Sequence, residues 1–221
     1  MENYLQGIKV ALSGVGTTLS ITSAGVIIGV VVGLLLALMR ISGKKPLKVI
    51  ATIYIEVFRG TPLIVQALIA YFGVPSLLQS YGIDFKYENA IVCGMIVCGF
   101  NSAAYVAEII RSGLNAISKG QMEAARSLGM TYFQTMRFVI VPQAFKVVLP
   151  ALGNEFVTLI KETAVLSVVT ITDITRSSML WASSTFLFWP AYMGTAIVYL
   201  GLTLTSSRLV ILLERKLAKN D

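Results

Sequence analysis

The residues with most chemical capacity in this chain sit in the wrong solvent. Between Leu149 and Ile171 an otherwise apolar run carries Glu155, Lys161 and Glu162, with Asn154 and Thr158 beside the first. A charged side chain at the centre of a bilayer costs roughly 2.5–3.5 kcal/mol on insertion scales, so Glu155 is expected to face a bundle interior or a wet cavity. Glu155 and Lys161 stand about 240° apart around a helix and cannot neutralise each other, whereas Glu155 and Glu162 share a face about 10 Å apart. Pro150 and Gly153 precede them and predict a weakened helix whose exposed carbonyls line a cavity.

The chemistry that suits this set is ionic recognition of a polar solute. Glu155 would accept a charge-assisted hydrogen bond from an ammonium or guanidinium, with Asn154 adjacent and Thr158 one turn along. Asn101 and Tyr105, four apart in another apolar run, would supply neutral donors and acceptors. The competing reading is a structural bridge from Glu155 to Arg59. Glu56 with Arg59, and Glu108 with Arg111, are spaced for local pairs and read as structural. Lys161 and Glu162 read as structure or gating. An enzyme is not expected: the sequence offers no His, no metal-ligand cluster and no nucleophile beside a base. Its two cysteines, Cys93 and Cys98, lie in one apolar segment and read as buried thiols.

Helices in a bilayer must position these groups. Of 221 residues, 56% are hydrophobic and 13% charged, too apolar for a soluble globule. Val10–Met39 holds no charge over 30 positions, and Gly60–Ile83, Ala90–Ala107 and Ser177–Ser207 are likewise uncharged. With about Phe145 to Ile171 these make five spans in one all-α membrane domain, residues 1–221. The leader MENYLQGIK lacks a basic start, so no cleavage is expected. Arg40, Lys44, Lys45, Lys48, then Arg111, Lys119, Arg126, Arg137, Lys146, then Arg208, Arg215, Lys216 and Lys219 fall on one side, thirteen against Lys9, Lys86 and Arg176. The positive-inside rule then predicts an outside N-terminus and a cytoplasmic C-terminus. The net charge of +7 is thereby a topology signal and not one for nucleic acid. Gly25, Gly29 and Gly33 form a small-residue stripe for close helix approach, within the subunit or between subunits.

The cytoplasmic segment 115–135 carries its own signals. Ser118 with Gln121 spells a capping box opening a helix through MEAARSL, and Gly129 stands where a left-handed stop belongs. Met122, Ala125 and Leu128 are expected on one face, an apolar knob for a groove in another protein or for lipid headgroups.

Glu123-Ala124-Ala125, then Gly129, then Val139-x-Val141-Pro142 resembles the EAA loop of ABC-importer permeases, with Val at two positions where Ile and Leu are usual. EVFRGTPLIVQ (Glu56–Gln66) and NEFVTLIKETAVLSVV (Asn154–Val169) resemble the polar amino-acid uptake branch of that family. The resemblance implies a five-helix, type I ABC-importer (MetI-like) membrane domain in a bacterial inner membrane. It implies a second permease subunit, two ATPase subunits and an external solute-binding protein. The cargo would be a polar, basic-class amino acid of the arginine, lysine, histidine and glutamine group. Glu123, Ala124, Ala125 and Gly129 would form the ATPase-coupling helix. No G-x-x-x-x-G-K-[ST] occurs, so the chain itself holds no nucleotide cofactor, and Mg-ATP would sit on the partner ATPase. The alternative, a gradient-driven secondary amino-acid transporter using Glu155 or Glu162, leaves the EAA loop without a purpose.

Overall fold

The computed structural model describes residues 2–218 and, among them, contains helices and no strand. Lys219 of the basic tail lies outside the described residues. Five runs are long and apolar enough to cross a membrane: Glu2–Ile41, Leu63–Ser80, Ala90–Asn115, Tyr132–Val169 and Phe188–Lys216. The number agrees with the sequence reading; several boundaries and the place of the break do not.

The first run is α1 (Glu2–Ser13) followed by α2 (Val15–Ile41). Its partner is α6 (Ala90–Asn115), the most enclosed helix, opened by Asn89, whose Oδ1 accepts from the Ile91 N–H at 2.9 Å. The glycine stripe explains the contact. A Cβ on Gly25 would lie 3.0 Å from Cys98 Cβ, on Gly29 2.8 Å from Ser102 Oγ, and on Gly33 2.8 Å from Val106 Cβ. The stripe therefore packs within the subunit. Helices in lipid gain little hydrophobic energy from meeting, so this backbone approach and its dispersion contacts hold the pair.

Between them the chain builds a helix absent from the sequence reading, which began its second span at Gly60. α3 (Lys45–Gly60) starts on Pro46 and buries Ala51 and Ile55 against Ala103, Ala104 and Ala107 of α6. Tyr54 Oη donates to the Phe100 carbonyl at 2.8 Å, which ties α3 to the middle of α6. Gly60-Thr61-Pro62 breaks the helix. The chain restarts as α4 (Leu63–Leu68), passes a π turn at Ile69–Gly73 and ends in α5 (Val74–Ser80).

Beyond α6 lie α7 (Lys119–Ser127), α8 (Tyr132–Thr135) and a π turn at Met136–Ile140. α9 (Val141–Glu162) then runs unbroken through Pro150 and Gly153, which corrects the expected weak point before Glu155. Gly153 serves packing instead: a Cβ there would lie 2.7 Å from Val210 Cγ2. A 3-10 segment, Thr163–Val169, leads to left-handed Thr170 (φ 66°).

The uncharged run Ser177–Ser207 is not one helix. α10 (Ile174–Thr185) and α11 (Phe188–Ala218) are separated at Phe186, which is left-handed (φ 59°). Buried Asp173 caps α10 through the Arg176 N–H at 2.8 Å and accepts from Tyr199 Oη at 3.2 Å. Burial pushes its carboxyl above the usual range, against hydrogen bonds from the Arg176 and Thr175 N–H groups and the Tyr199 hydroxyl that draw it back.

Candidate functional site

The break between α3 and α4 shapes one side of an open cavity of about 380 Å³, lined by Arg59, Thr61, Asn101, Tyr105 and Glu162. A second, of about 460 Å³, is lined by Arg59, Tyr105, Glu108, Ser112, Ala151 and Glu155. Arg59 and Tyr105 belong to both. The Arg59 guanidinium lies over the Tyr105 ring, 5.5 Å from its centroid, a cation–π contact worth about 0.5–1 kcal/mol where exposed. Among the described residues no ion pair joins Arg59 to Glu155 or to Glu56. The competing reading, a bridge from Glu155 to Arg59, is thus not formed, and neither is the local Glu56–Arg59 pair.

Glu155 has another partner. Ser102, fully buried on α6, donates from Oγ to Glu155 Oε1 at 2.8 Å. One such bond fills a fraction of the roughly four acceptor sites of a carboxylate. Glu155 is half-buried and lines the larger cavity. Glu108 is committed: Arg111 Nη2 reaches it at 2.8 Å as spaced, and Arg40 joins from α2.

The sequence-predicted residues separate into two groups. Asn101 and Tyr105 meet with Glu162 on the smaller cavity, and Tyr105 meets Glu155 on the larger. Asn154 and Thr158 share an exposed face of α9 with Lys161 and line neither cavity. Asn101 is 3% exposed, and its Nδ2 donates to Gln66 Oε1 at 3.0 Å. Gln66, Thr61 and Ser102 escaped the sequence reading. A lone Gln inside LIVQALIAYF and the helix-breaking Gly60-Thr61-Pro62 were the available signals.

The second surface is α7. Ser118 caps it, Oγ accepting from the Gly120 N–H at 3.3 Å, but the reciprocal half of the box is missing. The Gln121 side chain turns instead to Gln143, accepting at 3.4 Å. A complete capping box forms at Thr131 and Gln134 on α8. At the other end Gly129 is left-handed (φ 85°), as expected. The Met130 N–H meets the Ala125 carbonyl at 3.2 Å and the Gly129 N–H meets that of Arg126 at 3.1 Å, the paired bonds of a Schellman stop.

The presented face differs from expectation. Ala125 is 5% exposed and turned inward, while Leu128 is 84% exposed at the tip. Glu123 and Ala124 are exposed with it, so the knob comprises Glu123, Ala124 and Leu128. Ala125 is the small residue that lets α7 lie close to the body of the protein.

Comparison with known proteins agrees with this architecture. Residues 29–219 match the family described as "Binding-protein-dependent transport system inner membrane component". The chain is similar to the arginine transport system permease protein ArtQ of Bacillus subtilis (strain 168), 41% identical over 95% of this chain and 93% of that one. It is 36% identical to the putative glutamine transport system permease protein GlnP of Rickettsia prowazekii (strain Madrid E), over 98% and 97% of the two chains. Among solved structures it resembles an amino acid ABC transporter crystallised with histidines, at 46% identity, TM-score 0.87 and 96% coverage of both chains. An inward-facing MetNI methionine ABC transporter, 20% identical with TM-score 0.73 over 94% and 96% of the chains, shares the fold.

Proposed function

The chain belongs to the family of binding-protein-dependent transport system inner membrane components and is a permease subunit of an amino-acid ABC importer; from that premise we propose that its cargo is a basic amino acid whose cationic side chain meets Glu155. The observation that carries the reading is the Glu155 carboxylate, held by Ser102 alone among the hydrogen bonds described and facing a cavity of about 460 Å³. An ionised group in such a place is costly unless an opposite charge meets it. Tyr105 and Asn101 add neutral polar contacts on the same path.

Asn154, Thr158 and Lys161 are exposed on a membrane-spanning helix, and lipid is a poor cover for them. A second permease subunit over this face would bring Asn154 and Thr158 onto the path. Family membership implies an external binding protein and separate ATPase subunits, and Mg-ATP would be held there and not on this chain. Coupling runs through residues 115–135, with Glu123, Ala124 and Leu128 in the ATPase cleft, Ala125 setting the close approach and Gly129 the stop. The thirteen-to-three division of Lys and Arg supports an outside N-terminus and a cytoplasmic C-terminus.

The test is purification with the ATPase and binding protein, reconstitution in proteoliposomes and a screen of amino acids for stimulation of ATP hydrolysis. Arginine, lysine and histidine should stimulate above glutamine, and uptake should persist with an uncoupler. Uptake that ignores ATP and collapses with the uncoupler would favour a gradient-driven transporter instead.

A further inference from the structure

Where α3 stops at Gly60, beside the smaller cavity, its last carbonyls lose their helical partners. Side chains of the protein take the place of those partners. Thr61 Oγ1 donates to the Val57 carbonyl at 2.8 Å. Gln66 Nε2 spreads its two hydrogens over the Phe58 carbonyl at 2.9 Å, the Thr61 carbonyl at 3.1 Å and Thr61 Oγ1 at 2.9 Å. Asn101 Nδ2 then donates to Gln66 Oε1 at 3.0 Å and reaches the Phe58 carbonyl at 3.5 Å. One carboxamide thus ties the end of α3 to the start of α4, and a second ties both to α6.

Arg59 leaves the backbone between Phe58 and Gly60, inside this clamp. Its guanidinium lies over Tyr105, one turn from Asn101 on α6. The clamp and the Arg59–Tyr105 contact are therefore two sides of one frame. If the end of α3 swings, Arg59 leaves the ring at the junction of the two cavities.

We infer that Gln66, held by Asn101, is a positioning residue of the translocation path, fixing Arg59 over Tyr105 where the cavities meet. Gln66 lines neither of those cavities and acts through Arg59. The inference rests on reading the cavities as that path.

A double-mutant cycle in the reconstituted complex tests it. Gln66→Met keeps the length and adds no charge, but deletes every donor and acceptor that Gln66 brings to the clamp. Arginine uptake per assembled complex should fall at least tenfold, with basal ATP hydrolysis within about twofold of the parent. Arg59→Gln should also impair uptake, and Gln66→Met in the Arg59→Gln background should add less than about twofold, because coupled residues are non-additive. Multiplicative losses, or uptake, basal hydrolysis and assembled yield falling together, would overturn the positioning role. If Gln66→Met does not assemble, Gln66→Leu, which has no polar side-chain atom and a branched end, goes through the same cycle against the same criteria. An Arg59→Gln complex with normal uptake would instead overturn the path reading itself, whatever Gln66→Met does.

Discussion

Ser102 donates to Glu155 across 2.8 Å from a position on α6 where α2 approaches so closely that a Cβ on Gly29 would lie 2.8 Å from the same hydroxyl. A glycine of α2, a serine of α6 and a carboxylate of α9 are thus joined in one line, and packing of the first pair sets the orientation of the third. Gly29→Ala should destabilise the subunit by about 1–3 kcal/mol through overpacking and lower arginine uptake by displacing Ser102. Gly201→Ala, with no atom within 4 Å of the added methyl, should leave the melting temperature unchanged or raise stability by up to about 1 kcal/mol. Thermal unfolding of the two variants in one detergent checks this; equal behaviour would contradict it.

Ser102→Ala removes the hydrogen bond without crowding. Hydrogen bonds to charged groups contribute about 1.5–3 kcal/mol. The variant should therefore unfold at a lower temperature, and its arginine uptake should fall more than its glutamine uptake. Loss of stability with an unchanged ratio of the two solutes would reduce Ser102 to a packing role.

The proposed coupling role of the α7 tip makes a residue-specific prediction. Leu128→Asp, at an exposed position, should insert normally yet fail to co-purify with the ATPase. Ala125→Leu, at a buried one, should lower the yield of folded subunit. Gly129→Asp and Gly129→Asn place residues of similar left-handed tolerance at φ 85°, but the first adds a charge, so uptake should be lost with insertion retained for Asp, whereas Asn should be tolerated. Co-purification of the Leu128→Asp subunit with a substrate-stimulated ATPase would remove the tip from the docking surface.

Orientation is open to thiol labelling, since native Cys93 and Cys98 are 1% and 0% exposed. With an impermeant maleimide on intact cells, Asp84→Cys should label and Ser118→Cys should label only after permeabilisation. The reverse pattern would invert the topology.

The five crossing runs, the short helix α7 with its Gly129 stop and the Glu108–Arg111 pair were legible because each rests on local pattern: hydropathy length, a turn residue, an i,i+3 spacing. The place of the break was not. Pro150 looked like a helix breaker, yet α9 continues through it, and the Gly60-Thr61-Pro62 break was hidden inside what reads as an uncharged span. Gln66 and Ser102 meet partners 35 and 53 residues away, respectively, so their roles follow from tertiary contact that no periodicity encodes. The Ala125 face was misjudged for the same reason: helical spacing gives a stripe, but not which stripe meets the protein.

The most direct test of the account is Glu155→Gln, which keeps the side chain's size and one acceptor and removes the charge. A charge-assisted hydrogen bond exceeds a neutral one by about 1 kcal/mol or more, roughly fivefold in affinity. Uptake of labelled arginine and glutamine by reconstituted complex, normalised to inserted protein, should show at least that loss for arginine and much less for glutamine. Equal losses for the two solutes would contradict the assignment of Glu155 to a cationic substrate.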